Sequence, residues 1–120
     1  MDYPKLIENN LIALSNKNRE IQELRKKLSI EECKVTLQIL DAKDEQGKSL
    51  FPNETARNAA IKLELAKNLE YEELETNLLN KEQERAELLA KSERLNGEFK
   101  LFMLDKKLEI ASLSVNENLN

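Results

Sequence analysis

Asp44-Glu45-Gln46-Gly47-Lys48-Ser49-Leu50-Phe51-Pro52-Asn53 is the stretch on which the fold turns. It holds Gly47 and Pro52 and lies between two long runs, 5–42 and 54–96, that contain neither residue type. Both runs are rich in Leu, Glu, Lys, Ala, Gln and Arg, which lose little side-chain freedom in a helix. Gly47 suits the left-handed position that ends a helix, and Leu50 or Phe51 can then fold back onto the last turn. Asn53 suits the N-cap of the next helix, with Glu54 at the positive end of its dipole. Pro52 cannot extend that helix backward. The expectation is a chain reversal between a helix over about 5–45 and a helix over about 54–112, with the turn at 46–53. The chain is then all-α: a long antiparallel, coiled-coil-like helical hairpin that associates with itself. Residues 1–113 make one domain and 114–120 a frayed tail.

Working outward, the first run places Ile7, Leu14, Ile21, Leu28 and Val35 seven residues apart, with Leu11, Leu24 and Ile39 beside that stripe. Asn18, Arg25 and Glu32 interrupt it, so the seam is heptad-like with polar defects. Val35-Thr36-Leu37-Gln38-Ile39 alternates like a strand, but Ile30, Cys33, Leu37 and Leu40 follow helical spacing through the same residues, and no partner strand is evident. The second run reads Leu74, Leu78, Lys81, Arg85, Leu88, Ser92, Leu95, Phe99, Phe102 at seam positions. Ile21, Leu28, Leu74, Leu78 and Leu88 are expected to hold the two helices together.

Composition excludes much chemistry. The 120 residues include no His, no Trp, one Cys and two Gly, and charged residues make up 35%. Without His the commonest general base and metal ligand is gone. One Cys permits neither an internal disulfide nor a cysteine zinc site. No phosphate-cradling glycine loop is present. Catalytic, cofactor-binding and metal-ligating residues are therefore not nominated. The net charge of −4 argues against a general nucleic-acid binder. Residues 16–34 carry six basic and four acidic side chains, a net of +2 and a weak phosphate footprint. Glu70, Glu72, Glu73 and Glu75 read as a solvated acidic face. No signal-peptide pattern opens the chain and no apolar run approaches a membrane span, so a cytoplasmic protein is expected, with Cys33 a free, half-buried thiol.

The two helices are unequal. At ~1.5 Å per residue they would measure about 60 and 87 Å. Folded together, they leave the part of the chain from Asn96 onward without a mate. That overhang is the most apolar part of the sequence. Two arrangements would cover it: a break near Asn16 that folds Leu6–Leu14 over it, or a second chain. The second is favoured: two hairpins pairing antiparallel through 96–113 give a dimer, or a tetramer if the stripes also pair, through Phe99, Leu101, Phe102, Met103, Leu104, Leu108 and Ile110. At the other end, Asp44, Gly47, Phe51, Asn53 and Arg57 are expected to build the turn, with Arg57 paired to Asp44 or Glu45.

The stretch Val35-Thr36-Leu37, then Asp44 through Asn53 and on through Glu54-Thr55-Ala56-Arg57-Asn58-Ala59-Ala60, resembles a group of small helical-hairpin proteins of phages, prophages and some bacterial genomes. These share an Asp-Glu-x-Gly-Lys turn, an aromatic, Asn-Glu-x-x-Arg and an acidic heptad helix. Coverage is roughly 33–104, with Pro52 standing where the group is expected to have a small polar residue. The resemblance implies a shape and a mobile-element origin, and no activity or cofactor. The function expected is a non-catalytic interaction or scaffold protein, with an unidentified protein partner conceivable and neither membrane nor nucleic acid involved directly. The alternatives are an accessory to phage DNA recombination or replication, and a prefoldin-like chaperone, whose pattern would need a β-hairpin between the helices.

Overall fold

The computed structural model describes residues 1–119, with side chains through Val115. The chain is an all-α helical hairpin with 87% of its residues in helix. Helix α1 spans Tyr3–Asp41, α2 spans Glu54–Lys67 and α3 spans Leu69–Leu119. Among the described residues there is no strand, only an isolated antiparallel bridge between Lys43 and Ser49.

Helix α1 begins two residues before the expected start, and its cap explains why. The Asp2 carboxylate accepts the Lys5 N–H at 3.1 Å and the Asp2 carbonyl accepts that of Leu6 at 3.1 Å. Pro4 sits in the first turn, where a missing N–H leaves no helical bond unmade. The helix then runs without interruption through the polar stretch 15–20, so no break at Asn16 folds the N-terminal segment back. Residues 35–39 are helical, as the three-four spacing requires.

Two compact units share α1 and α3: residues 18–83, and residues 1–17 with 84–119. In the unit of residues 18–83, Ile21, Leu28, Val35 and Ile39 are buried along α1. Leu74 and Leu78 of α3 are half-buried. Val35 and Ile39 meet Ala60 of α2 in a cluster onto which Phe51, Ile61 and Leu65 pack. The antiparallel register is marked by the ion pair of Lys81 with Glu20 at 3.4 Å and by Tyr71 donating to Glu32 at 2.7 Å.

The helix expected over 54–112 is two helices. Asn68 ends α2 with ψ at 106° and its N–H on the Leu65 carbonyl, and it caps α3 by accepting the Tyr71 N–H at 3.0 Å. Glu70 and Glu72 occupy the first turn of α3, where the helix dipole favours anions. No Gly or Pro marks this break. Asn at an N-cap with acidic residues behind it is the signal that could have found it.

In the unit of residues 1–17 with 84–119, Asn10, Leu14 and Leu95 are buried, and Ile7, Leu88, Ser92 and Phe99 half-buried. Lys17 and Glu84 form an ion pair. Tyr3 lies against both Phe99 and Phe102, with ring centroids 6.1 and 5.6 Å apart. The segment from Asn96 therefore does have a mate as far as Phe102; the unmated part of α3 starts near Met103. Helix α3 continues to Leu119, past the expected end at 112 and into the segment expected to fray. The side chains of 116–119 and all of Asn120 lie outside the described residues.

Candidate interaction surface

The turn is built differently from a helix C-cap followed by a loop. Helix α1 stops at Asp41, and residues 42–50 fold into a short ladder. Asp44 donates its N–H to the Lys48 carbonyl at 2.8 Å, and Leu50 donates to Ala42 at 3.0 Å. Inside the ladder the Asp44 carboxylate oxygen Oδ1 accepts the N–H groups of Gln46 and Lys48, both at 2.9 Å. Gly47 adopts φ 80°, the left-handed region that a Cβ disfavours. It sits at the tip of this ladder and not at the end of α1. Phe51 folds onto the Val35–Ile39–Ala60 cluster, whereas Leu50 is exposed. Asn53 caps α2, accepting the Ala56 N–H at 2.8 Å. Arg57 does not pair with Asp44 or Glu45: the Asp44 carboxylate is taken up by backbone donors, and Arg57 has no ion pair among the described residues. Asp44, Gly47 and Asn53 thus serve local geometry and Phe51 anchors the turn to the cluster, while the expected role of Arg57 is not met.

Beside the α2–α3 break lies a connected polar group of the unit of residues 18–83. Glu31 is buried, and its carboxylate accepts from Lys34 Nζ at 3.2 Å and from Asn68 Nδ2 at 3.4 Å. On the next residue, Glu32 accepts the Tyr71 hydroxyl. That bond, then burial, then the negative charges of Glu32 and Glu75 hold the Tyr71 phenol well above its ordinary range. A groove of about 380 Å³ opens here between Lys27, Ile30 and Lys34 on one side and Glu70, Glu73 and Leu74 on the other. Every group in the network has a structural partner, and the groove gathers no nucleophile next to a base. Among the described residues no group of His, Cys, Asp or Glu could hold a metal ion.

Several basic residues of α1 are engaged. Lys17 meets Glu84, Arg25 meets Glu82 at 3.2 Å, and Lys34 meets Glu31. A phosphate-binding face is weakened, since these three cations of residues 16–34 already face carboxylates. Cys33 is exposed rather than half-buried, on the outward stripe with Ile30, Leu37 and Leu40.

The largest run of exposed apolar surface is the C-terminal part of α3. Leu101, Phe102, Met103, Leu104, Leu108, Ile110 and Leu113 are all exposed, and so is Val115, which lies beyond the segment expected to pair. Phe99 is the exception, half-buried against Tyr3. These residues divide into two faces. Leu95, Phe99 and Phe102 continue the seam that meets α1, and there Lys106 interrupts the row. Its ammonium sits 5.6 Å above the Phe102 ring and 3.4 Å from Glu109. Leu101, Leu104, Leu108, Ala111 and Val115 recur at three-four spacing on another face. At about 100° per residue that face is roughly opposite the seam. Its Leu and Val side chains are 52–64% exposed, and no charged residue interrupts it.

No helix among the described residues is long and apolar enough to cross a membrane. No family model, curated protein or solved structure matches the chain.

Proposed function

We propose that the chain is a non-catalytic interaction or scaffold protein that associates with copies of itself through the C-terminal part of α3. The observation that carries this reading is the unbroken apolar row Leu101, Leu104, Leu108, Ala111, Val115, exposed on a helix whose opposite face already has a mate in α1. An apolar row of this length in water is an association site. Each buried Leu contributes about 1.5–3 kcal/mol when a second helix covers it. The polar groups elsewhere support the same reading, since they are engaged in caps, ion pairs and the turn. The resemblance of the turn to phage-type hairpin proteins suggests a mobile-element origin.

Light scattering on a sizing column tests the proposal. The chain mass is 13.9 kDa, and a mass of two or more chains is expected at tens of micromolar. Leu108→Glu should return it to one chain with its helix content intact. Phe102→Glu is the poorer probe, because Phe102 also packs on Tyr3. A single-chain mass for the unaltered protein would refute self-association and leave a different protein as the ligand of this face, as in a chaperone or an accessory factor.

A further inference from the structure

We propose that the self-association is parallel and in register: the 101–115 segments of two copies lie side by side as a two-heptad coiled coil. This deepens the reading just given and rests on it.

The first argument is the repeat. Leu101, Leu104, Leu108, Ala111 and Val115 occupy successive a and d positions, with Leu101, Leu108 and Val115 at a and Leu104 and Ala111 at d. The preceding d position is Gly97, where an added Cβ would meet nothing within 4 Å in the chain. A second helix can therefore approach closely at the point where the row begins. The row lies roughly opposite the side of α3 that carries Phe99 and Phe102, so Tyr3 and the rest of α1 in this unit do not obstruct it.

The second argument is charge, and it selects the direction. Beside the row 101–115, Lys100 and Lys107 stand at g positions and Asp105 and Ser112 at e positions; ahead of it, Glu98 at e would face Glu93 at g, and Arg94 of its own helix offsets that charge at 3.8 Å. In a parallel in-register pair, g of one helix faces the next e of the other. Lys100 then meets Asp105 of the second copy, twice over, and Lys107 meets the neutral Ser112. In an antiparallel pair with a packed against d, the row aligns Leu101 with Ala111 and Leu104 with Leu108. The flanking positions then pair e with e and g with g. Asp105 would meet Asp105 and Lys107 would meet Lys107, which is repulsive at both. Within the chain neither Lys100 nor Asp105 has an ion-pair partner among the described residues, although Lys106–Glu109 and Arg94–Glu98 do pair nearby. Residues 98–115 carry three acidic and three basic side chains, so no net repulsion opposes the encounter despite the overall charge of −4.

The test uses single-cysteine variants of the full chain. Cys33→Ser removes the exposed native thiol, and Leu101→Cys or Val115→Cys is added. In register, each new thiol faces its own copy at an a position, within reach of a disulfide. In the antiparallel pair Val115 faces Gly97, and the two copies of position 115 stand about 27 Å apart; the two copies of position 101 are about 15 Å apart. Expected under mild oxidation is near-complete covalent dimer for both variants, with the mass by light scattering unchanged. A non-covalent dimer that forms neither disulfide, while a mixture of Leu101→Cys and Ala111→Cys chains does cross-link, overturns the parallel geometry and leaves self-association standing. A single-chain mass for the Cys33→Ser parent overturns both. A dimer that survives Leu108→Glu moves the interface elsewhere, for example to the Ile30–Leu40 stripe, and overturns this assignment. Charge reversal adds a second readout. Lys100→Glu should weaken dimerisation about tenfold, and Lys100→Glu with Asp105→Lys should restore it. Equal weakening in the single and double variants would count against the cross-chain pair.

Discussion

The side-chain amide of Asn68 reaches the carboxylate of Glu31, with Nδ2 3.4 Å from Oε2, across 37 residues of sequence. This contact ties the break between α2 and α3 to a buried acid on α1. Asn68 caps α3 with its carbonyl and holds Glu31 with its amide. Glu31 is compensated by Lys34 on its own helix.

Asn68→Ala should therefore destabilise by about 2 kcal/mol, more than the roughly 1 kcal/mol of an ordinary cap loss, because Glu31 also loses a donor. Asn53→Ala, which removes a cap with no second bond, should cost about 1 kcal/mol. Urea unfolding at fixed protein concentration checks both, since association adds to apparent stability. Glu31→Ala combined with Asn68→Ala should cost less than the sum of the two singles. Strict additivity would mean that the contact carries no coupling.

Tyr71 makes stability fall in alkaline solution. Its folded-state pKa is raised above the unfolded value near 10.0, chiefly by the bond to Glu32. The neutral phenol is thus the form that the fold favours. Its contribution is complete below pH 10 and is lost as pH rises beyond the unfolded value. Thermal unfolding should show a steeper loss between pH 10 and 11 in the unaltered chain than in Tyr71→Phe. Parallel curves would indicate that the Glu32 bond does not discriminate between phenol and phenolate.

Gly47 has φ 80° and open space around it, so its requirement is one of backbone conformation alone. Gly47→Ala should cost about 1–2 kcal/mol, and Gly47→Asn should cost less, because Asn tolerates the left-handed region. Equal losses, read from denaturant midpoints, would argue that the ladder rearranges around the substitution.

Asn10 is 3% exposed and donates to the mid-helix carbonyl of Leu88 at 3.0 Å, while its own carbonyl oxygen has no hydrogen-bond partner among the described residues. Burying an unmet acceptor is costly. Asn10→Leu should raise stability by about 1 kcal/mol, measured by urea unfolding, and Ile21→Ala should lower it by about 2–5 kcal/mol from lost packing at a site 3% exposed. A loss on Asn10→Leu would show that the Leu88 bond outweighs the orphaned oxygen.

Much of this molecule is determined by local sequence alone. The helix-forming runs, the sevenfold spacing of Ile7 to Val35, the Gly47 turn and the Asn53 cap act over a few residues each. They prescribe two helical stretches and a reversal without reference to anything distant. What only the tertiary structure decided are the features that depend on partners far along the chain. Lys67-Asn68-Leu69 contains no strong breaker, and Asn68 is held partly from outside by Glu31 on another helix. Asp44 takes up backbone donors of its own ladder and does not pair with Arg57, an outcome of loop geometry that composition does not reveal. Tyr3, near the start of the chain, reaches Phe99 and Phe102. That one contact moves the boundary of the unmated segment and separates the two apolar faces of α3. The physical reason is one of range. Propensity, caps and periodicity are encoded within a turn or two of helix, whereas burial is a property of which segments meet.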